Sequence, residues 1–262
     1  MTDLIRLGVE EQVATITLNR PEKLNAFTDE MLRGLVAAID ECDRRDDVRV
    51  VLLTGAGRGF CAGGDVHAMG PEADNRPHVT KKHIFDYVQA FPRRLATFKK
   101  PIIAAVNGVA TGGGMDLALA CDFRTAAKSA RFAETYAKIG LLPGGGGAYY
   151  LPRIIGTAKS LELLLTADFV EAEQALAIGL VNHVFDDAEL IDETKKIARR
   201  IAKLPPYSVT MIKRTVYQGL DSDMASALEN VGSHIAIAKA SGDHAEAISA
   251  FHEDRIGNYS GT

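Results

Sequence analysis

Two glycine-rich turns carry the groups best placed to do chemistry in this sequence. The first runs from Gly55 to Asp65 and the second from Asn107 to Asp116. Each follows an apolar run typical of a buried strand, so each lies at the carboxyl end of a strand, where ligands commonly bind in α/β sheets. Glycine lets a ligand approach the backbone closely. The amides of both turns could converge on a developing oxyanion, or the turns could simply connect strands tightly to helices.

The second turn leads directly into a predicted helix. After Gly114, the residues Met115, Leu117 and Leu119 are good helix formers. The glycines therefore lie at a helix N-terminus, where backbone N–H groups are free and negative charge is favoured. The first turn is not a dinucleotide fingerprint, because Phe60 stands where the third glycine belongs, and no Gly-Lys-Ser/Thr follows to make a phosphate loop. Together the turns favour oxyanion stabilisation.

Strands and helices alternate around these turns. Val13–Leu18 alternates apolar and polar residues as a half-buried strand does, whereas Val48–Leu53 and Ile102–Val106 are continuous apolar runs typical of strands buried on both faces. Thr28 is a suitable N-cap for a helix between the first two strands. The order predicts an α/β fold with a largely parallel sheet. The polar stretch His67–Thr80 predicts a mobile loop at the mouth of a site, or a surface insertion without function.

Helical patterns dominate after Val184. The predicted helices are Asp187–Leu204, Pro206–Gly219, Met224–Ala240 and Asp243–Asp254. This change of pattern divides the chain into a core of residues 1–195 and a helical C-terminal subdomain of residues 196–262. We expect the subdomain to pack on the core or on a neighbouring subunit, and so to contribute oligomer contacts.

Composition excludes several classes of function. A net charge of −4 gives no basic surface for nucleic acid, and three cysteines without CxxC spacing predict neither a disulfide framework nor a cysteine zinc site. No metal ligand set is expected. The N-terminus lacks the apolar stretch of a signal peptide, and no apolar run approaches the ~18 residues that span a bilayer. We expect a soluble, cytoplasmic protein that does not bind membranes.

Several motifs spread over nearly the whole chain resemble one family. They are Leu18–Ala26, Phe60–Val66, Lys100–Gly108, Gly112–Ala118, Gly140–Gly146, Ala175–Val181 and Phe251–Arg255. By these motifs the chain resembles the enoyl-CoA hydratase/isomerase (crotonase) superfamily. The resemblance implies a crotonase-like ββα spiral with a C-terminal helical subdomain, assembled as a homotrimer or homohexamer. It also implies an acyl-CoA substrate and no separate cofactor, since coenzyme A arrives as part of that substrate.

The resemblance also implies which residues form the site. The oxyanion amides would be those of Gly64 and Gly113. The residues that would bind CoA and substrate are Lys23, Leu24, Ala26, Ala62, Asp65, Val66, Gly112 and Pro143. Lys23 could contact a phosphate or be a solvated surface lysine. Cys61, beside the first turn, is expected to be a small buried residue and not a nucleophile.

The chain departs from the family where the chemistry is decided. Hydratases of this family use two glutamates, and the matching positions here are Asp116 and Tyr136. A helical side chain leans towards the helix N-terminus, so Asp116 could act as general acid or base on the bound acyl group, or only complement the helix dipole. Tyr136 could donate a proton, orient water or line the pocket. If residues 130–135 form a strand, Glu134 shares a face with Tyr136 and could supply the missing carboxylate. If the chain bends there, Glu134 points away. His67 could also be a base, but a surface role is expected.

These features lead to one main hypothesis and two alternatives. The main hypothesis is hydration or double-bond isomerisation of an acyl-CoA through an enolate, with Asp116 as acid/base. Some isomerases and dehalogenases of the family carry an acid after the proline that matches Pro143, whereas this chain has Gly144. The first alternative is another acyl-CoA reaction at the same site, such as decarboxylation, hydrolysis or ring opening. The second is an acyl-CoA binder that has lost catalysis.

Overall fold

The alternation of strands and helices predicted from the sequence is present in the protein. The computed structural model describes residues 3–65 and 76–261. The strands are β1 (Ile5–Glu10), β2 (Val13–Leu18), β3 (Val50–Gly55), β4 (Gly59–Cys61), β5 (Ile102–Val106), β6 (Val109–Thr111), β7 (Phe123–Ala127), β8 (Arg131–Ala133), β9 (Val170–Glu171) and β10 (His183–Phe185). The helices are α1 (Asp29–Arg44), α2 (Pro77–His83), α3 (Ala90–Leu95), α4 (Gly113–Leu119), α5 (Gly147–Ile155), α6 (Thr157–Thr166), α7 (Ala172–Ala177), α8 (Leu190–Ala202), α9 (Pro206–Leu220), α10 (Met224–Lys239) and α11 (Gly242–His252).

The strands form two sheets that wind together. The larger sheet has the order β1-β2-β3-β5-β7-β10, and the smaller has the order β4-β6-β8-β9. Only β1 and β9 run antiparallel to their neighbours among these strands. In each of the successive pairs β3-β4, β5-β6 and β7-β8, the first strand belongs to the larger sheet and the second to the smaller. Each pair therefore adds one turn to a spiral. The predicted α/β class with a largely parallel sheet is confirmed.

Local sequence explains where the central elements begin. Thr28 caps α1, because its hydroxyl accepts from the backbone N–H of Met31. The strand predicted from Val48 begins two residues later, at Val50, because the N–H of Val48 closes a turn onto Arg45. Strands β3 and β5 are buried along their whole length, as their continuous apolar sequences predict.

The stretch predicted as a mobile loop is partly helical. Pro77–Thr80 forms the first turn of α2, so the loop prediction is wrong for these residues. Proline suits this place, because its fixed φ matches the helix and its missing N–H would have no partner in a first turn. The rest of the predicted loop, from His67 to Asn75, lies outside the described residues.

The C-terminal helices are present, with ends within a few residues of the predicted ones. Helix α8 packs on the larger sheet, where Ala198 and Ala202 contact a cluster that includes Val50 and Leu52. The proposed division between residues 195 and 196 falls inside this helix, and the division into subdomains stays a prediction. No helix within residues 3–65 and 76–261 is long and apolar enough to cross a membrane.

Candidate functional site

The two glycine turns are neighbours because their strands are paired. Strand β4 runs parallel to β6, and this pairing brings the first turn against the second. A Cβ atom placed on Gly114 would lie 2.0 Å from the carbonyl oxygen of Cys61. A Cβ on Gly63 would lie 2.8 Å from the carbonyl oxygen of Thr111 and 3.3 Å from the nitrogen of Gly113. The turns are therefore in backbone contact, at a separation that only glycine permits.

Two amides at this contact have no acceptor within the described residues. Phe27 pairs with the first turn, and its N–H donates to the carbonyl of Gly63 at 2.8 Å. The amide of Gly64, next in the chain, donates to no turn or loop acceptor in residues 3–65 and 76–261. The same holds for the amide of Gly113, which is the first residue of α4. Both N–H groups are thus without an acceptor at the contact between the turns, and their role as an oxyanion hole stays a prediction.

Asn25 holds the first turn in place. Its side-chain amide donates to the carbonyls of Ala56 at 2.9 Å and Gly59 at 2.8 Å, and its side-chain oxygen accepts from the N–H of Arg20 at 2.8 Å. The backbone of Leu24 and Asn25 is left-handed, with φ of 49° and 56°. Asparagine tolerates this conformation better than most residues, and this preference was the signal in the sequence that could have identified Asn25.

The residues expected to bind CoA lie in the loop of residues 20–27 or in the first glycine turn beside it. Lys23 is exposed, Leu24 and Ala62 are half-buried and Ala26 is buried. Asp65 forms an ion pair with Arg20 at 2.9 Å, so one function of its carboxylate is to join the loop to the first turn. Val66 and His67 lie outside the described residues.

Cys61 has the properties of a buried structural residue. Its thiol is fully buried and donates to the carbonyl of Asn25 at 3.1 Å. Burial raises the pKa of this thiol to about 12, so the thiolate needed for nucleophilic attack is absent near neutral pH.

Asp116 lies on α4, one turn beyond Gly113, and its side chain is buried. Its Oδ2 accepts from the hydroxyl of Tyr136 at 2.5 Å and from the N–H of Gly145 at 2.9 Å. Its Oδ1 has no hydrogen-bond partner among the described residues. Burial raises the pKa of Asp116, and the hydrogen bonds from Tyr136 and Gly145, together with the nearby amide of Gly147, oppose that rise. A carboxylate with a raised pKa is a better proton acceptor than an exposed one.

The chain bends after β8, so Glu134 and Tyr136 do not share a strand face, and the second of the two possibilities left open by the sequence is the one present. Strand β8 ends at Ala133, whose carbonyl accepts from Gly112, and the chain then turns into a 3₁₀ helix over Thr135–Ile139. Tyr136 contacts Asp116, and the Glu134 carboxyl group faces the same space beside Gly147 as the other oxygen of Asp116. Tyr136 binds Oδ2, whereas Glu134 lies by Oδ1 with both its own oxygens buried and without a partner among the described residues.

Tyr136 lies between Asp116 and the second turn. Its hydroxyl is 3.3 Å from the position that a Cβ on Gly113 would take, and its ring lies over Gly112. Burial, followed by the charge of Asp116, raises the pKa of the phenol above its usual value. Tyr136 is therefore a hydrogen-bond donor to Asp116 and cannot be a base near neutral pH.

The four glycines that follow Pro143, residues 144–147, form one wall of the site beside Asp116. A Cβ on Gly145 would lie 2.7 Å from Oδ2 of Asp116, so a larger residue would displace this carboxylate. Gly144, where some relatives carry an acid, faces the side chains of Ile84 and Val88 at 3.8 Å from its Cβ position. Ile84 and Val88 form an apolar face beside Gly144, whose carbonyl accepts from the side-chain amide of Gln89 at 3.2 Å. The sequence alone gave no reason to connect the glycine run with Asp116, because the contact joins segments about thirty residues apart.

Comparison with known proteins places this geometry in a family. A model of the enoyl-CoA hydratase/isomerase family matches residues 8–262. The chain belongs to this family. It is 39% identical to the 1,2-epoxyphenylacetyl-CoA isomerase of Escherichia coli, with 100% of both chains covered. It is 37% identical to the short-chain-enoyl-CoA hydratase of Clostridium acetobutylicum, with 95% of this chain and 94% of the relative covered.

Solved structures of the enoyl-CoA hydratase/isomerase family share the fold. The enoyl-CoA hydratase of Bacillus anthracis superposes with a TM-score of 0.93 at 31% identity, covering 99% of this chain and 100% of that one. A subunit of an enoyl-CoA hydratase from Geobacillus kaustophilus gives 0.91 at 36% identity, covering 99% and 98%. The crotonase-like spiral with C-terminal helices is confirmed.

Proposed function

We propose that this protein isomerises an acyl-CoA thioester through an enolate, with Asp116 as the single acid/base. Asp116 would accept a proton from a carbon next to the thioester carbonyl, and the electron pair of the broken C–H bond would move onto the carbonyl oxygen. The amides of Gly64 and Gly113 would stabilise the resulting oxyanion. Asp116 would then return the proton to another carbon of the conjugated system. Atoms and charge balance without a further reactant.

The observation that carries this proposal is the hydrogen bond from Tyr136 to Asp116. In the hydratase pattern a second glutamate occupies the place of Tyr136, and two carboxyl groups handle the added water. Here a phenol occupies that place and donates to the one carboxylate that borders the second turn. Glu134 would not restore the pair, because its carboxyl group lies on the side of Oδ1 of Asp116 and not in the place of Tyr136 at Oδ2. A reaction that moves one proton between two carbons needs only one acid/base.

Hydration is the second candidate, and the hydratase relative at 37% identity favours it. The isomerase relative at 39% identity acts, by its name, on an epoxide, so it supports isomerisation of an acyl-CoA in general. The chemistry common to both candidates is enolate formation from a bound acyl-CoA. The CoA portion would lie along Lys23, Leu24 and Ala26, and the acyl group would extend towards Pro143 and the apolar face beside Gly144.

Incubation with 2-enoyl-CoA and 3-enoyl-CoA in deuterium oxide tests the proposal. We expect the double bond to move and deuterium to appear at carbon, without gain of the mass of water, as measured by mass spectrometry. A 3-hydroxyacyl-CoA as the main product would instead establish hydration. Free CoA or carbon dioxide would establish another reaction, and acyl-CoA binding without any exchange would establish a silent binder. Each of these outcomes would contradict isomerisation.

Replacement of Tyr136 by phenylalanine should lower kcat/KM about 10-fold and move the acid limb of the pH–rate profile to higher pH. Burial raises the pKa of Asp116, and the hydrogen bond from Tyr136 opposes that rise, so its loss raises the pKa further. The ionised base then forms only at higher pH. Tyr149→Phe, at an exposed tyrosine, is the matched control. An acid limb that stays in place in Tyr136→Phe would show that this bond does not tune the base.

We also propose that the protein assembles as a trimer or hexamer. Large apolar side chains lie exposed along the C-terminal helices, which is unusual for a surface that faces only water. They include Ile212, Val216, Leu220, Met224, Leu228, Ile235 and Ile237. Light scattering on the purified protein would give the number of subunits, and a monomer would contradict this proposal.

A further inference from the structure

Three carboxylate oxygens at the candidate site are buried without a hydrogen-bond partner among the described residues. They are Oδ1 of Asp116 and both oxygens of Glu134. A buried carboxylate oxygen that lacks a hydrogen bond is costly, and two carboxyl groups side by side cost more if both are ionised. The arrangement therefore needs something that neutralises one charge and donates at least one hydrogen bond.

The unpartnered oxygens converge on one point. A Cβ on Gly147 would lie 2.5 Å from Oδ1 of Asp116 and 2.5 Å from Oε1 of Glu134. Both carboxyl groups thus face the same small space, which is open only because residue 147 is glycine. The third buried oxygen, Oε2 of Glu134, belongs to the same carboxyl group.

No cation is available to neutralise this pair within the described residues. The groups that act on Asp116 are the hydroxyl of Tyr136 and the amides of Gly145 and Gly147, and the group that acts on Glu134 is Asp116 itself. Tyr150, on α5, is the other titratable group facing the pair, and it is a neutral phenol, whose pKa burial raises to about 12. Without a lysine, arginine or histidine beside the pair in residues 3–65 and 76–261, a proton is the group that can neutralise the charge.

We propose that Glu134 is a positioning residue that holds a proton towards Oδ1 of Asp116, either directly or through one bound water molecule. This inference rests on the proposed role of Asp116 as acid/base. Its consequence is that both oxygens of Asp116 have donors: Tyr136 and Gly145 at Oδ2, and Glu134 at Oδ1. The carboxylate is then held in one orientation beside the second turn. Burial and the charge of Asp116 raise the pKa of Glu134, which agrees with a neutral acid.

A second role for Glu134, as an ionised base acting on water, makes the opposite predictions. An ionised Glu134 would repel the charge on Asp116 and raise the pKa of that base. A neutral Glu134 that donates a hydrogen bond stabilises the charge and lowers the pKa of Asp116 relative to a site without the donor. Removing Glu134 therefore shifts the acid limb of the pH–rate profile in opposite directions under the two roles.

Two substitutions separate these roles. Glu134→Gln keeps a donor of the same size, so kcat/KM should stay within about threefold of the wild type and the acid limb should stay in place. Glu134→Leu removes the donor, so the acid limb should move about one pH unit higher and kcat should fall about 10-fold. Thr194→Val, which breaks the buried Thr125–Thr194 hydroxyl pair, is the control for a general loss of packing and should leave the acid limb unchanged. Loss of turnover in Glu134→Gln, or an acid limb in Glu134→Leu that stays or moves lower, would overturn the proposal.

Infrared spectroscopy gives a readout that does not depend on turnover. The wild-type protein at neutral pH should show the carbonyl band of a protonated, buried carboxylic acid, and this band should be lost in Glu134→Gln. If the wild-type protein lacks that band, the proposal is overturned even if the variants do not fold. If the band is present but no enoyl-CoA is isomerised, the proton on Glu134 stands and the proposed reaction fails. The two ideas can thus be rejected separately.

Discussion

Replacement of Asp116 by asparagine should lower kcat about 10³-fold and leave the affinity for acyl-CoA within about threefold. Asparagine has nearly the same shape, and its side-chain oxygen can still accept from Tyr136 and Gly145. The amide cannot accept a proton from carbon, so the loss falls on the chemical step. The amides of Gly64 and Gly113 are untouched, so a thioester should still bind. Turnover of an enoyl-CoA and calorimetric titration with a saturated acyl-CoA measure the two quantities.

Two further measurements make this result interpretable. Asp187→Asn changes an exposed carboxylate that accepts from the backbone of Ser129, and it should leave both turnover and affinity unchanged. Exchange of substrate protons with deuterium oxide should stop in Asp116→Asn, since that exchange reports enolate formation alone. Continued exchange in this variant would show that another group removes the proton, and the assignment of Asp116 would then be wrong.

Replacement of Gly114 by alanine should lower the free energy of unfolding by about 2–4 kcal/mol and abolish most activity. Helix propensity alone predicts the opposite sign, because alanine is favoured over glycine by about 1 kcal/mol inside a helix. The new Cβ would lie 2.0 Å from the carbonyl oxygen and 2.6 Å from the carbonyl carbon of Cys61. These are backbone atoms in a paired strand, so they cannot rotate away as a side chain could. The two glycine turns would have to separate, and the amides of Gly64 and Gly113 would separate with them.

Urea denaturation measures the stability change, and Gly8→Ala is the matched control. Gly8 is exposed on the edge strand β1, and a Cβ there would have no atom within 4 Å. This control should leave the stability unchanged or raise it slightly. If Gly114→Ala is as stable as the wild type and retains full activity, then close backbone contact between the turns is not required.

Elements with a clear sequence period could be predicted, and elements defined by distant contacts could not. Strand Val13–Leu18 and strand Ile102–Val106 have the predicted ends, because alternation or continuous burial shows directly in their residues. The glycine turns could be placed for the same reason, since each follows such a strand. These features depend only on local sequence and on the rule that parallel strands end at one edge.

The surroundings of Asp116 depend on three separate segments meeting. Helix α4 supplies the carboxylate, the turn after β8 supplies Glu134 and Tyr136, and the glycine run supplies the amide of Gly145. Strand alternation predicts that Glu134 and Tyr136 point the same way, but the chain leaves the strand at Ala133 and no local signal marks that turn. The need for glycine at position 147 could not be predicted either, because it depends on the two carboxyl groups that face this residue.

Asn25 joins two parts of the candidate site. Its hydrogen bonds connect the loop expected to hold CoA with the turn that carries Gly64, and they fix the position of one relative to the other. A ligand held at its nucleotide end would therefore have its thioester oxygen already in register with the amide of Gly64. Binding energy from the large, unreactive part of the substrate would be converted into alignment at the reacting carbon. A thioester shortened to lack the nucleotide would then lose rate at saturation as well as affinity.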